Sequence, residues 1–364
     1  MILKEIIDTI EAWAPPSLQE SYDNSGLLYG HKDMEVDQAL LSLDCTENVV
    51  EEAIEKNCQL IISHHPIVFS GIKKLNGKNY IERTLIKAIR HNIALYAIHT
   101  NLDNIKEGVN SMIAKKLGLP QGRVLRPKKG HLKKLVFFCP KDASESVKEA
   151  LFNVGAGVIG DYDCCSFESE GQGNFRARSK STPNRGRKGE LHYEEELRIE
   201  TVYPFYLESK LLDALQTHHP YEEVAYDIYT TEIDWKQVGS GWLAEYEAAI
   251  PMKDFITTLK KEMNVAMLRH TKFTSDSVKR IALCGGSGSF LLADAIKAKA
   301  DVFITGDFKY HQFFDAEDSI CIMDIGHYES EQFTPQLLQE FLQKKIPNFA
   351  TYLSKVNTNP INYA

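Results

Sequence analysis

Residues 60–66 read Leu60-Ile61-Ile62-Ser63-His64-His65-Pro66, an apolar run that closes on two imidazoles and a proline. A short continuous apolar run with a polar stop is the pattern of a strand buried on both faces, as in a parallel sheet. The flanking sequence keeps the same rhythm. Apolar runs at 39–43 and 93–98 lie on either side, separated from it by amphipathic stretches at 47–55 and 81–91. Strand, helix, strand, helix, strand predicts a mostly parallel sheet whose strand ends face one crevice.

The rhythm returns late in the chain, with apolar runs at 280–284, 302–304 and 320–325, a helix over 290–300 and one long helix over 327–344. The two ends therefore look like halves of one α/β unit, expected at 1–130 and 233–364. Between them, 131–232 reads as strand 134–139, helix 144–153, strands 162–168 and 197–203, helix 206–218 and strand 222–229. That βαββαβ order is ferredoxin-like, a module that can be inserted into a host domain. The expected fold class is α/β, a two-part core with mostly parallel sheets interrupted by an inserted ferredoxin-like domain. Within the insert, 174–188 is basic and lacks apolar periodicity, so it reads as a solvated mobile loop, with anion or RNA binding as the functional alternative.

Composition narrows the class. The chain has 364 residues, 43% of them hydrophobic, and 42 basic against 50 acidic residues give a formal charge of -8. That length suggests more than one domain, and that charge argues against nucleic acid as the main partner. Seven scattered cysteines with no Cys-x-x-Cys pair suit reduced thiols. No window has the roughly 18 apolar residues of a membrane span, so a soluble cytoplasmic protein is expected.

Three clusters carry chemistry, each at the end of an expected strand. His64 and His65 are adjacent, so they leave the strand on opposite sides and can reach two ions. Asp103 follows the next strand and adds a carboxylate, while His99 is a candidate for proton transfer. His327 and Glu331 are four apart and share a helix face, whereas Glu329 is expected to point to solvent. Together, His64, His65, Asp103, His327 and Glu331 are the expected ligands of a pair of divalent ions. Their nitrogen and oxygen donors allow Zn, Mn, Fe or Co.

Asp44, Gly286, Ser287, Asp307 and His311 also sit at strand ends, as candidates for supporting the ligands or touching substrate. Gly285-Gly286-Ser287-Gly288-Ser289 reads equally as an anion cradle or as a turn forced by close packing. A second His-His-Pro, at 218–220, has no matching carboxylates and is expected to be a turn.

These residues resemble the NIF-three-like family of dinuclear-metal proteins, GTP cyclohydrolase type 2 homologues. The likeness rests on Tyr22-Asp23-Asn24-Ser25-Gly26-Leu27-Leu28, Ser63-His64-His65-Pro66, His99-Thr100-Asn101-Leu102-Asp103, Gly285-Gly286-Ser287-Gly288, Thr305-Gly306-Asp307 and Gly326-His327-Tyr328-Glu329-Ser330-Glu331. It implies that His65 and Asp103 hold one ion, His64 and His327 the other, and that Glu331 bridges them. It further implies a homohexamer, a trimer of dimers, and an insert similar to PII and CutA proteins. Basic residues at 181–189 depart from the pattern of that insert. Hydrolysis of a nucleotide or phosphorylated heterocycle is the leading expected activity, and a metal-bound regulatory or scaffold hexamer with a ligand-sensing insert is the alternative.

Overall fold

The structure, a computed structural model, describes residues 1–119 and 121–363. It divides into two compact units, Met1–Arg126 with Gln237–Ala364, and Pro127–Lys236. Among the described residues no helix is long and apolar enough to cross a membrane.

In the first unit one five-stranded sheet runs in the order Gly26–Tyr29, Ala94–Ala97, Leu60–Ser63, Gln38–Ser42, Ala350–Leu353. All neighbours are parallel except the first pair. The helices Glu47–Glu55 and Tyr80–Arg90 cover it, burying Val49, Val50, Ala53, Leu85 and Ala88 against Leu40, Ile61 and Leu95. Each such large apolar side chain contributes about 1.5–3 kcal/mol. Polar side chains fix where both helices begin: Thr46 accepts from the Val49 amide and Asn79 from the Glu82 amide. The register pairs Ser42 with Ser63 and Ser63 with Ala97, so three strand ends finish level. The His65 amide then continues the ladder to Leu43 O at 2.9 Å, and Ile98 N to Ser63 O at 2.9 Å. Asp44, His65 and His99 are neighbours for that reason.

A six-stranded sheet is built around Cys321–Asp324, Val302–Gly306 and Ser277–Ser287, parallel to one another, with Arg269–His270 at one edge and Trp235–Pro251 and Gly122–Lys128 towards the other. The two ends of the chain thus each build most of a sheet of their own within the one compact unit. Each is closed off by antiparallel strands whose sequences carry little alternation, Gly26–Tyr29 on the first and Arg269–His270 and Trp235–Pro251 on the second. The long helix expected over 327–344 is broken into His327–Glu331 and Thr334–Lys345. Pro335 lies in the first turn of the second piece, where its missing N–H costs nothing.

The described residues after Leu353, 354–363, have no regular structure yet are tied down. Ser354 N donates to Leu41 O at 2.8 Å, Lys355 N to the buried Glu52 carboxylate at 3.0 Å, and Asn359 Nδ2 to Glu329 Oε1 at 3.0 Å. Glu329 is consequently buried, not solvated.

The unit Pro127–Lys236 holds an antiparallel sheet in the order Ser166–Arg176, Leu191–Pro204, Leu132–Pro140, Tyr226–Thr230. Helices Ser144–Val154 and Glu208–His218 supply Val147, Leu151, Leu211 and Leu215 to its core. The basic stretch is anchored here. Arg185 forks onto Asp142 at 2.6 and 2.8 Å and pairs with Glu194, while Thr182 N donates to Glu222 at 2.7 Å. In the second His-His-Pro, His219 bonds Phe138 O at 2.9 Å and accepts from Tyr221 N, which makes it a turn.

Candidate metal centre

The carboxyl ends of the two sheets of the first unit border a cavity of about 520 Å³, whose wall includes His65, His99, Asp103, His327 and Glu331. His64, fully buried, donates from Nδ1 to Ile98 O at 2.8 Å, which leaves the Nε2 lone pair free. That Nε2 lies 3.6 Å from Asp103 Oδ1 and 3.7 Å from Glu331 Oε1. Both His64 Nε2 and Asp103 Oδ1 are buried without a hydrogen-bond partner.

The second group has the same logic. His65 Nδ1 donates to Asp44 Oδ1 at 2.8 Å and His327 Nδ1 to Asp307 Oδ2 at 2.7 Å, the carboxylate–histidine arrangement that orients metal-binding imidazoles. Their Nε2 atoms approach to 3.3 Å and lie 3.0 and 3.1 Å from Glu331 Oε2. Acceptors converge here with no donor between them unless the rings carry extra protons, and that is an environment for a cation.

Titration follows from the same charges. Burial opposes protonation of His65, yet Asp44 and Glu331 hold its pKa up to about 10. Burial likewise opposes it at His327, where Glu331 and Asp307 raise the pKa to about 11. Burial, helped by the neighbouring His65 and His99 charges, lowers His64 against the pull of Glu331, and burial with the Glu331 charge raises Asp103. Sets of three donors within 4.8 Å of one another are His64, Asp103, Glu331 and His65, His327, Glu331, with His64, His65, His99 as a third. The close pairs are thus His64 with Asp103 and His65 with His327, whereas the resemblance implied His65 with Asp103 and His64 with His327.

His99 caps the short helix Thr100–Asp103, and its ring centroid is 5.3 Å from those of both His64 and His65. Its Nδ1 donates to Asp23 Oδ1 at 2.7 Å. Against the upward push of burial, bonds from His99 and Thr100 hold the Asp23 carboxyl well below its ordinary range. Asp23 was not singled out for a chemical role from the sequence, although its stretch carries part of the resemblance. Thr358, which donates to Asp44 Oδ2, and Asn359 in the cavity wall gave no signal at all.

Among the supporting candidates, Asp44 and Asp307 bond the imidazoles of His65 and His327, and Ser287 lines the cavity. Gly286, at φ +61°, lies so close to Glu331 that a Cβ there would be 2.4 Å from Oε1. His311 departs from expectation. It is exposed, rests against Tyr310 and Phe314, and is not in the cavity wall, because the 3-10 turn Tyr310–Ala316 carries it off the strand end. The glycine turn is the close-packed kind: the amides of Gly285, Gly286 and Gly288 are engaged by Asn110 Oδ1, Ser330 Oγ and Thr305 Oγ1, each at 2.9 Å.

The chain is similar over its whole length to known proteins. It is 36% identical to a GTP cyclohydrolase 1 type 2 homolog of Halalkalibacterium halodurans over 363 residues, 98% of each chain, and 35% identical to the protein of that name from Bacillus subtilis, over 99% of this chain and 98% of that one. The crystal structure of a Bacillus cereus protein related to NIF3 superposes with a TM-score of 0.86 at 35% identity, covering 100% of this chain and 99% of that one. The profile described as Duf34/NIF3 (NGG1p interacting factor 3) matches residues 1–360, and the chain belongs to that family.

Proposed function

We propose that this protein is a dinuclear metal-dependent hydrolase acting on the heterocyclic ring of a nucleotide or a related compound. In this reading His64, Asp103 and Glu331 would hold one divalent ion, and His65, His327 and Glu331 would hold the other. The observation that carries it is the pair of partnerless buried atoms, His64 Nε2 and Asp103 Oδ1, facing a carboxylate on which two further imidazoles converge. Burying such atoms unsatisfied costs several kcal/mol (about 1–3 each), which a bound cation removes. When bound, paired divalent ions polarise an electrophile and lower the pKa of water. The chain supplies the rest. Asp44 and Asp307 fix the faces of His65 and His327, Glu331 joins the two groups, and His99, oriented by Asp23, holds or moves a proton at Nε2. The names of the relatives direct the choice of substrate towards GTP and its purine ring.

The proposal extends to the rest of the chain. We propose that residues 131–232 form an inserted PII/CutA-like domain of ferredoxin type, on the strength of the element order βαββαβ, that the subunits form a cytoplasmic homohexamer, a trimer of dimers, and that 1–130 with 233–364 are the discontinuous core. Light scattering of the full chain tests the hexamer. The test of the activity is turnover of GTP and a nucleoside panel by metal-reconstituted protein, with elemental analysis. Two ions per subunit and a rate abolished by Asp103→Ala are expected, and no uptake of metal refutes the reading. A regulatory role is favoured by one observation, a cavity of about 560 Å³ within Pro127–Lys236 bordered by Arg176, Arg178, Glu196 and Tyr221. Metal uptake without turnover across the panel supports that second reading.

A further inference from the structure

We infer that the cavity of about 560 Å³ within Pro127–Lys236 binds a small zwitterion, an α-amino acid with an apolar side chain, which sets its ammonium group on Glu196 and its carboxylate at Arg176 and Arg178. The inference rests on the regulatory reading and names its ligand; no residue of the metal centre enters it.

The cavity is built by the fold. Along Leu191–Pro204, Leu197 and Ile199 pack against the two helices, so by alternation Glu196 lies on the opposite face of the sheet. Residues of the basic stretch, from Arg176 to Asn184, complete the wall on that face. They are held there by the bonds of Arg185 to Asp142 and Glu194 and of Thr182 to Glu222.

Three observations set the chemistry of the ligand. The first is an uncompensated carboxylate. Glu196 lines the cavity at 9% exposure, and among the described residues no lysine, arginine or histidine pairs with it. A carboxylate so buried calls for a cation. Its Oε2 lies over Gly173, where a Cβ would be 2.1 Å away, so the glycine leaves the space that the carboxylate fills. The Tyr221 hydroxyl feels that carboxylate, its pKa pushed up by burial first and by Glu196 next, yet the hydroxyl is buried without a hydrogen-bond partner.

The second observation is the apolar wall. Phe138, Phe175 and Tyr221 line the cavity, with the last two ring centroids 6.2 Å apart. Aromatic faces suit an apolar side chain and an ammonium group alike. The third is the mouth. Arg176 and Arg178 line the same cavity but are exposed, and among the described residues neither pairs with an acid. Their charge disfavours a bare metal ion or a polyamine and offers a fork to a carboxylate. With the acid deep and the bases outermost, the ligand enters ammonium first.

The test uses the full-length protein, titrated by calorimetry with L-phenylalanine, L-leucine and L-methionine, and with the decarboxylated amine and the deaminated acid of each. At least one amino acid is expected to bind, about tenfold more tightly than either of its stripped analogues. Glu196→Gln keeps the shape and removes the charge. It is expected to weaken that amino acid by about 10–100-fold while leaving the affinity of the deaminated acid unchanged. Gly173→Ala, whose methyl meets only the far end of a flexible side chain, should displace the carboxylate and give a loss in the same direction. Absence of binding by all three amino acids, a stripped analogue that binds as tightly as its parent, or undiminished affinity in either variant, folded by circular dichroism, overturns the inference. Should a variant misfold, the comparison of parent with analogues decides alone. The regulatory reading itself falls to a different result, turnover of the nucleotide panel by metal-loaded protein.

Discussion

Gly286→Ala tests the assignment of the two ligand groups at a single atom. At φ +61° an L side chain costs about 1–2 kcal/mol in backbone strain. The new methyl carbon would sit 2.4 Å from Glu331 Oε1 and 3.3 Å from His327 Cε1. Ordinary contact requires roughly 3.5 Å, so Oε1 must retreat by about 1 Å. Metal ligands tolerate only about 0.2 Å of displacement. On the proposed assignment, an ion at His64, Asp103 and Glu331 should therefore be lost, while one at His65, His327 and Glu331 should remain. Elemental analysis after dialysis should read one ion per subunit instead of two. The strain should lower the melting temperature of the metal-free protein by about 2–4 °C or somewhat more. Two ions bound at undiminished affinity by a folded Gly286→Ala protein would refute the placement of Oε1 in the centre.

Asp44→Asn removes the charge that orients His65, and should weaken metal binding about 10–100-fold in a competition titration while leaving the fold intact by circular dichroism. His99→Gln and Asp23→Asn should each lower the turnover number by about 10²–10⁴ with metal content unchanged, since proton transfer and not binding is removed. In the metal-free protein the pKa values of His65 and His327 stand at about 10 and about 11, so metal uptake at neutral pH must expel protons. Affinity should rise with pH, and calorimetry in buffers of differing ionisation enthalpy should read proton release. The same shifts set the stability of the metal-free form. A raised folded-state pKa gives stability that is complete below about pH 6.5 and is lost as pH climbs through the folded values, so the melting temperature should fall towards pH 11. That fall should be smaller in His327→Gln, and an equal fall in both proteins would count against the assigned ion pairs.

The parallel strands were legible because burial on both faces leaves unbroken apolar runs, as at Leu60–Ser63 and Val302–Gly306. The strands that flank them were not. Ala350–Leu353 is half exposed at a sheet edge, and Trp235–Pro251 interrupts its apolar residues with glycines and charges, so neither shows a period. The histidine and acidic candidates could be named from the rule that polar residues gather at strand ends, and six of them, Asp44, His65, His99, Asp103, His327 and Glu331, border one cavity. The rule overreached at His311, because position after a strand says nothing about a turn that carries the side chain away. It fell short at Thr358 and Asn359, which lie in irregular chain and reach Asp44 and Glu329 only through tertiary folding.

His65 and Glu331 meet at 3.0 Å although 266 residues separate them in sequence. Ribosomes add about 5–20 residues per second, so the histidine pair is made on the order of ten to fifty seconds before the acid that joins the two groups. During that interval the nascent polypeptide presents paired imidazoles with half their partners unborn. A polypeptide released before residue 331 is made lacks the carboxylate on which both histidine groups converge.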